Sequence, residues 1–421
     1  MSLFSNRKLL KTGAKYSIIS TISSIISMLI GIVMMLWLMP EEIGKWNAVS
    51  MFLAYLPFLQ LGIQSGLSVE LPIKIGENND EKIRSYIANG YSFAIFISVV
   101  IAIIGIILAI VYYINHGLDL SLGIITIAIS GVCQSFSLHF TARFRSAKAF
   151  DDLSKVMALT IPITLASIFF IYRYHYYGIL IYNSVPAIAS VILRYLYLPY
   201  KDVKPSIKWY DFKTLLKVGI AILIPNNLHT ASQTLPRWII LNKAGVRTLG
   251  LYSPALAVNS LISLLPGQIA QFFHPQMGYI YGKTGKAREM WPYVKKMNIY
   301  MPLVSVVVAA MIWLMAPWVL KVFAPQYIES LWAMRIMCIA FVFTSSFTTL
   351  VVFFTIHAYI YAYIVTVFDF VGCFVFPYIM TLMMPDNILT AVTIGMVINN
   401  FLVYTLNFIL LRVALFKNKY N

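Results

Sequence analysis

The feature that most constrains this chain is the alternation of long apolar stretches with short polar connections. Twelve stretches are long enough to cross, as helices, a hydrocarbon core of about 30 Å. They cover residues 16–39, 46–68, 88–113, 121–141, 156–172, 178–198, 214–236, 250–273, 297–316, 331–354, 358–383 and 388–411. No connection exceeds roughly 20 residues, whereas an independent soluble domain needs about 50. The sequence therefore predicts an all-α integral membrane protein of about twelve transmembrane helices.

Composition supports this class and excludes several others. Hydrophobic residues make up 60% of the 421 residues and charged residues only 11%, against about a quarter charged residues in soluble proteins. The three cysteines, Cys133, Cys338 and Cys373, fall within apolar stretches and lack metal-ligand or disulfide spacing. Most soluble enzymes, metal-stabilised folds and disulfide frameworks are thereby excluded.

Basic residues predict the orientation of the chain in the membrane. With a cytoplasmic N-terminus, the connections on that side carry roughly four times as many lysines and arginines as those on the other side. The pattern predicts that both termini are cytoplasmic. The formal net charge of +17 then reflects topology signals and contacts with anionic membrane lipids, and we expect no nucleic-acid partner.

Short internal matches indicate a repeat. Leu9–Gly13 matches Leu215–Gly219, and Glu42–Trp46 matches Thr248–Tyr252, both at an offset of about 206 residues. Each copy begins on the cytoplasmic side. The repeat predicts two pseudo-symmetric six-helix lobes, residues 1–208 (helices 1–6) and 209–421 (helices 7–12). Transporters built in this way bind their substrate between the lobes and alternate its access to the two sides.

Three segments together carry a resemblance to a known family. They are Ile43–Leu71, Leu235–Met277 and Phe323–Arg335, which include Ile-Gly-Lys-Trp, Leu-Pro-Arg-Trp-Ile-Ile and Phe-Ala-Pro-Gln-Tyr. In order and spacing they resemble O-antigen (Wzx-type) flippases, which are polysaccharide exporters of the multidrug/oligosaccharidyl-lipid/polysaccharide (MOP) superfamily. One departure is Pro236, which stands where the family often has an aspartate before the arginine matched here by Arg237.

The resemblance implies a fold of two six-helix bundles in the inner (cytoplasmic) membrane of a bacterium. It implies a role in lipopolysaccharide and polysaccharide biosynthesis, with a polyprenyl-diphosphate-linked oligosaccharide flipped from the cytoplasmic to the outer leaflet. We expect a transporter and not an enzyme, without a cofactor, and with coupling to an H⁺ or Na⁺ gradient. A polysaccharide polymerase and a chain-length regulator are expected partners.

Basic side chains are candidates for binding the diphosphate, because guanidinium stays charged and forms bidentate hydrogen bonds. Arg237 lies near the outer end of the seventh span, beside Pro236. Arg143 and Arg145 end the fourth span on the cytoplasmic side, where they could receive the head group. The alternative for all three is anchoring at the membrane interface.

Polar groups within spans supply the remaining candidates. Asn226, Asn227 and His229 follow Pro225 in the seventh span and are candidates for binding sugar; interhelical hydrogen bonding is the alternative. Asp369 is a single acidic residue deep in the eleventh span. An ionised carboxylate is costly at that depth, so Asp369 is the candidate for ion coupling, and a neutral packing carboxyl is the alternative.

Two other function classes stay open. A multidrug or cation exporter of the MATE type could share the fold, although it would be expected to have more acidic groups in its cavity. A membrane-embedded glycosyltransferase or polysaccharide polymerase could share the composition, but it would be expected to carry catalytic groups on a long outer loop.

Overall fold

A computed structural model describes residues 7–344 and 349–417; within helices, the side chains of residues 7–11, 13–14, 221–222, 226 and 263–276 lie outside the description. All regular secondary structure in the described ranges is helical. This confirms the all-α class. The chain forms two compact units, one of Met1–Leu38 with Lys45–Asn227 (unit 1) and one of Met39–Gly44 with Leu228–Asn421 (unit 2).

Unit 1 holds the helices of the first half of the chain and the beginning of one more. These are α1 (Arg7–Trp37), most of α2 (Pro40–Ser50), α3 (Leu56–Leu59), α4 (Ile63–Gly76), α5 (Asp80–His116), α6 (Leu118–Ser146), α7 (Phe150–Leu196) and α8 (Trp209–Ser232) as far as Asn227. Its core packs α4 and α5 around Leu67, Leu71 and Ile87, with Leu215 of α8 against them.

Unit 2 holds the end of α8 and the remaining helices. These are α9 (Leu235–Leu251), α10 (Ser253–Thr284), α11 (Trp291–Phe323), α12 (Leu331–Thr344), α13 (Val351–Thr355), α14 (Tyr359–Met383) and α15 (Ile388–Phe416). Its core joins α11, α14 and α15 through buried side chains such as Met297, Val365 and Val403. The division into lobes 1–208 and 209–421 stays a prediction about the repeat.

The helices account for the predicted spans. Among the described residues, eight helical segments are long and apolar enough to cross a membrane, and a bent helix pair raises the number to nine. The predicted seventh and eighth spans fall on α8 and α10, with 24 and 32 residues. Large apolar side chains such as Ile103, Ile106 and Ile107 of α5 are exposed, as expected where lipid and not water surrounds a helix.

Helix α7 supplies two of the predicted spans. It has 47 residues, and a straight helix of that length would measure about 70 Å, more than twice the hydrocarbon core. His175 interrupts it with φ 51° and ψ −119°, a conformation that a helix cannot continue through. The break lies between the predicted fifth and sixth spans.

The predicted second span is broken, which the sequence analysis did not anticipate. The segments Pro40–Leu59 and Ile63–Gly76 meet at an angle of 48°. Leu61 and Gly62 at the break have positive φ, 48° and 76°. A Cβ on Gly62 would lie 2.3 Å from the carbonyl carbon of Gly219, so glycine permits both the bend and the close approach of α8.

A reciprocal backbone contact in unit 2 reflects the repeat. A Cβ on Gly44 would lie 2.0 Å from the carbonyl oxygen of Val246, and one on Gly250 would lie 1.7 Å from that of Pro40. Gly44 and Gly250 are equivalent in the two copies of the repeat, and so are Pro40 and Val246, both at an offset of 206 residues. Each copy of the repeat therefore contributes an equivalent glycine and an equivalent carbonyl group to one crossing of α2 and α9.

Candidate functional site

A buried carboxylate cluster in unit 2 is centred on Asp369. The Asp369 side chain is 0% exposed, and its Oδ2 lies 2.9 Å from His229 Nδ1 and accepts a hydrogen bond from Ser232 Oγ at 2.7 Å. Oδ1 accepts from Asn399 Nδ2 at 3.1 Å and lies 3.6 Å from Cys373 Sγ. The carboxyl group thus has polar contacts on both oxygens, as a buried charge or buried polar group requires.

Helical spacing and one glycine bring these groups together. Asp369 and Cys373 stand four residues apart on one face of α14, and His229 and Ser232 stand three apart on the last turn of α8. Helix α15 approaches α14 closely, because a Cβ on Gly372 would lie 2.0 Å from Asn399 Oδ1. Gly372 therefore makes room for the Asn399 carboxamide beside Asp369.

The cluster can accommodate the carboxyl group in either protonation state. Ser232 Oγ lies 2.7 Å from Asp369 Oδ2 and 2.7 Å from the backbone oxygen of His229, and a hydroxyl has one proton to donate. With Asp369 ionised, Ser232 donates to the carboxylate. With Asp369 protonated, the carboxyl group donates to Ser232, which donates to the His229 carbonyl. His229 is 33% exposed, so its ring links the buried carboxyl group to the accessible surface.

Arg237 lies near the start of α9 and is partly buried. Its Nε is buried and makes no hydrogen bond with the described residues. Among the ion pairs between described residues, none joins Arg237 to a carboxylate. A guanidinium in that setting can bind an anion without first breaking a salt bridge.

Arg143 and Arg145 differ sharply although they are two residues apart on α6. Arg143 is 1% exposed, and its Nη2 donates to the backbone oxygens of Pro199, at 2.7 Å, and Tyr200. Arg145 is exposed, and its Nη2 donates to the hydroxyl of Tyr16 at 3.1 Å. Arg143 holds the end of α7 and the connection after it, whereas Arg145 stays accessible.

Two of the three predicted sugar-binding residues of α8, Asn227 and His229, belong to different units. The side chain of Asn226 lies outside the described residues. Asn227 belongs to unit 1 and lines a cavity there, whereas His229 belongs to unit 2 and contacts Asp369. Arg335 of α12, another arginine within a predicted span, has its guanidinium 5.4 Å from the ring centres of Trp313 and Trp332.

The cavity in unit 1 has a volume of about 260 Å³ and a wall rich in uncharged polar groups. Its lining consists of Pro57, Gln60, Gly62, Gln64, Ser65, Ser68, Gln134, Leu138, Leu223 and Asn227. Sequence reasoning missed Gln60, Gln64 and Gln134, although an amide within an apolar span is itself a signal. It also missed Ser232 and Cys373 as neighbours of Asp369.

An exposed ion pair joins Asp202, in the connection between α7 and α8, to Arg84 near the cytoplasmic start of α5. Arg84 Nη1 lies 2.5 Å from Asp202 Oδ2. This hydrogen bond, with one from the Asp202 backbone, lowers the pKa of the Asp202 carboxyl. Among the described residues, no group of three or more His, Cys, Asp or Glu side chains is arranged to hold a metal ion.

A family comparison agrees with this architecture. Residues 33–330 match the family model described as "Polysaccharide biosynthesis protein". The match covers well over half of the chain, and the chain belongs to this polysaccharide biosynthesis family. The resemblance to polysaccharide exporters is thereby confirmed at the level of the family. No curated protein matches this chain in sequence.

Solved structures show the fold. One is the inward-facing conformation of a multidrug resistance MATE family transporter of the MOP superfamily, with a TM-score of 0.79, 16% identity and coverage of 93% of this chain and 94% of that chain. Another is the outward-facing conformation of a MATE family transporter, with a TM-score of 0.68, 17% identity and coverage of 96% and 95%. A third is a MATE protein in complex with MaL6, with a TM-score of 0.68, 18% identity and coverage of 96% of this chain and 96% of that chain. The protein therefore has the fold of these MATE family transporters, and its long apolar helices make it a multi-pass membrane protein.

Proposed function

We propose that this protein is a flippase, which moves a polyprenyl-diphosphate-linked oligosaccharide from the cytoplasmic to the outer leaflet of a bacterial inner membrane. The observation that carries this proposal is the combination of a polysaccharide biosynthesis family with a transporter fold. A polysaccharide precursor assembled on a lipid in the cytoplasm has a polar head that cannot cross hydrocarbon unaided. O-antigen repeat units are one such precursor, and a polymerase and a chain-length regulator would use the flipped product.

The electrostatics of unit 2 favour an anionic head group. Arg237 combines a buried Nε with the lack of a carboxylate partner among the described residues. A diphosphate would supply the missing acceptors in a bidentate arrangement. We assign diphosphate binding to Arg237, and initial contact at the cytoplasmic side to the exposed Arg145.

Ion coupling is assigned to Asp369 with His229. The carboxyl group has hydrogen-bond partners in both protonation states. Proton uptake and release therefore leave no buried polar group without a hydrogen bond. Donors from His229, Ser232 and Asn399 already surround the carboxylate oxygens. A sodium ion would need several oxygen ligands in their place, and we therefore propose the proton as the coupling ion.

A multidrug or cation exporter is the second candidate, because the similar solved structures include multidrug resistance transporters. A cationic drug would need an accessible carboxylate. Asp369 is 0% exposed and hydrogen-bonded, which favours proton binding over direct contact with a bulky cation.

The proposal is tested by transport in liposomes. Purified protein is reconstituted with a polyprenyl-diphosphate oligosaccharide that carries a labelled sugar, and the outward-facing label is followed over time. Wild type is expected to translocate the lipid, Arg237→Lys to do so more slowly, and Arg237→Ala to be slowest. The matched control is Arg173→Ala, which removes an exposed arginine of α7 and is expected to behave as wild type.

Two results would contradict the proposal. If the protein left the labelled lipid inside the liposomes and carried a cationic dye instead, it would belong with the drug exporters. If translocation proceeded but ignored the substitution of Arg237, the flippase function would stand and the diphosphate site would lie elsewhere.

A further inference from the structure

The wall of the cavity in unit 1 includes two glutamines that each have a buried polar atom without a hydrogen-bond partner among the described residues. Gln60 is 4% exposed, and its Nε2 makes no hydrogen bond with the described residues. Gln134 Oε1, in the wall of the same cavity, is also buried without a partner in the described chain. One atom is a donor and the other an acceptor. Buried polar groups nearly always have partners, so two in one cavity point to a ligand.

A third amide in the same wall is held in place by the protein. Gln64 Nε2 donates to the backbone oxygen of Gly90 at 2.9 Å, and Gln64 Oε1 lies 3.2 Å from Nδ1 of the fully buried His139. Ser68 Oγ donates to the backbone oxygen of Gln64 at 2.9 Å. These bonds fix the wall beside Gln60. The site is therefore built on supported side chains.

The chemistry of the lining selects an uncharged, hydroxyl-bearing ligand. Amides and hydroxyls supply both donors and acceptors, as a sugar hydroxyl requires. Among the side chains that the structure describes, the lining includes no arginine, lysine or histidine for a diphosphate, and no carboxylate for a cationic drug. The volume of about 260 Å³ lies below the range of about 300–1,000 Å³ typical of pockets for drug-sized ligands. It therefore suits a single sugar ring and not a whole oligosaccharide.

We propose that this cavity binds one monosaccharide ring of the lipid-linked head group, with Gln60 Nε2 donating to a sugar hydroxyl and Gln134 Oε1 accepting from one. Asn227 completes the wall from α8. The proposal rests on the flippase function proposed above. It concerns the sugar alone and does not depend on the assignment of diphosphate binding to Arg237.

The test compares two lipids that differ only in their sugar hydroxyls. Both are polyprenyl diphosphates that carry the same trisaccharide of N-acetylated hexoses, one with free hydroxyls and one with every hydroxyl methylated. Translocation is read by external cleavage of the diphosphate. The variant is Gln60→Met with Gln134→Met, which keeps side-chain length and removes the amides. The control is Asn183→Met, because Asn183 is a half-buried amide of unit 1 that bonds to its own helix at 2.8 Å.

Wild type and the control are expected to move the free-hydroxyl lipid at least roughly tenfold faster than the methylated lipid. The double variant is expected to move both lipids at the slower rate, and its transport of the methylated lipid shows that it is folded. The subsite is overturned if the double variant keeps the wild-type preference, or if wild type moves both lipids equally well; in either case the flippase function stands. If wild type moves neither lipid, the flippase function itself fails and the subsite falls with it.

Discussion

The two units bury different polar groups, although the two copies of the repeat share one way of packing. Gly44 and Gly250, each with an equivalent carbonyl, form one reciprocal crossing that lies within unit 2. In contrast, unit 1 encloses a cavity lined by neutral amides, whereas unit 2 buries a carboxyl group beside an imidazole. Equivalent glycines and carbonyls of the repeat thus occur together with different polar side chains in the two units, and on this difference rest our proposals of a sugar subsite in unit 1 and a proton site in unit 2.

The largest expected effect comes from replacing the buried carboxyl group of unit 2. Asp369→Asn keeps the shape of the side chain but removes its ability to bind and release a proton. We expect gradient-driven translocation of the labelled lipid to fall about 100-fold, equivalent to about 2.7 kcal/mol. The control is Asp386→Asn, which changes an exposed acid beyond the end of α14. Equal transport by Asp369→Asn and wild type would remove the coupling role.

The next effect tests the shared backbone. Gly44→Ala and Gly250→Ala each place a Cβ within 2.0 Å of a carbonyl oxygen. Each is expected to lower the free energy of unfolding by about 1–3 kcal/mol, because a packed backbone cannot yield without strain. Thermal unfolding in detergent provides the measurement, and Gly31→Ala is the control, since nothing lies within 4 Å of its Cβ position. Loss of stability in only one of the two variants would argue against an equivalent crossing.

A pair of histidines compares the units directly. His229 of unit 2 is partly exposed and contacts Asp369, whereas His139 of unit 1 is fully buried and contacts an amide. We expect His229→Gln to lower gradient-driven transport roughly tenfold, because it removes the imidazole that contacts the Asp369 carboxyl group. His139→Gln is expected to keep the acceleration by a pH gradient, and loss of that acceleration in this variant would contradict the assignment.

The smallest effect concerns the exposed Arg84–Asp202 pair. The pKa of Asp202 is lowered in the folded protein, so its stabilising contribution is present above the ordinary aspartate pKa and is lost as the pH falls through the folded-state value. Arg84→Gln should therefore reduce thermal stability slightly at neutral pH, and the difference from wild type should vanish in acid. Solvent screening keeps this effect small. A stability difference between Arg84→Gln and wild type that grew as the pH fell would contradict this assignment.

Some of this arrangement was predictable from sequence, because it depends on local patterns. The length of the apolar stretches predicted the spanning helices, and the positions of the basic residues predicted their orientation. The constant offset between matching glycine-containing segments predicted the repeat. Asp369 was recognisable because a single acid in an apolar stretch is costly without partners. The bends at Leu61–Gly62 and His175 were harder to predict, because leucine rarely has positive φ and a single histidine between apolar stretches does not by itself mark a break.

The neighbours of Asp369 could not be predicted, because they come from α8 and α15, which are distant along the chain. The sequence around His229 does not indicate whether its side chain contacts a carboxylate or a sugar. The contrast between Arg143 and Arg145 depends on which side of α6 meets the connection after α7. The cavity of unit 1 depends on amides from α4, α6, α8 and the break before α4, and their convergence is a property of packing.

The most direct test of the account is gradient-driven flipping by the wild-type protein in liposomes. The labelled polyprenyl-diphosphate oligosaccharide is supplied, and either a pH gradient or a sodium gradient is imposed while the other ion is held equal on both sides. The account predicts that a pH gradient accelerates appearance of the label outside and that Asp369→Asn abolishes this acceleration. Acceleration by sodium alone, or an undiminished response to pH in Asp369→Asn, would contradict it.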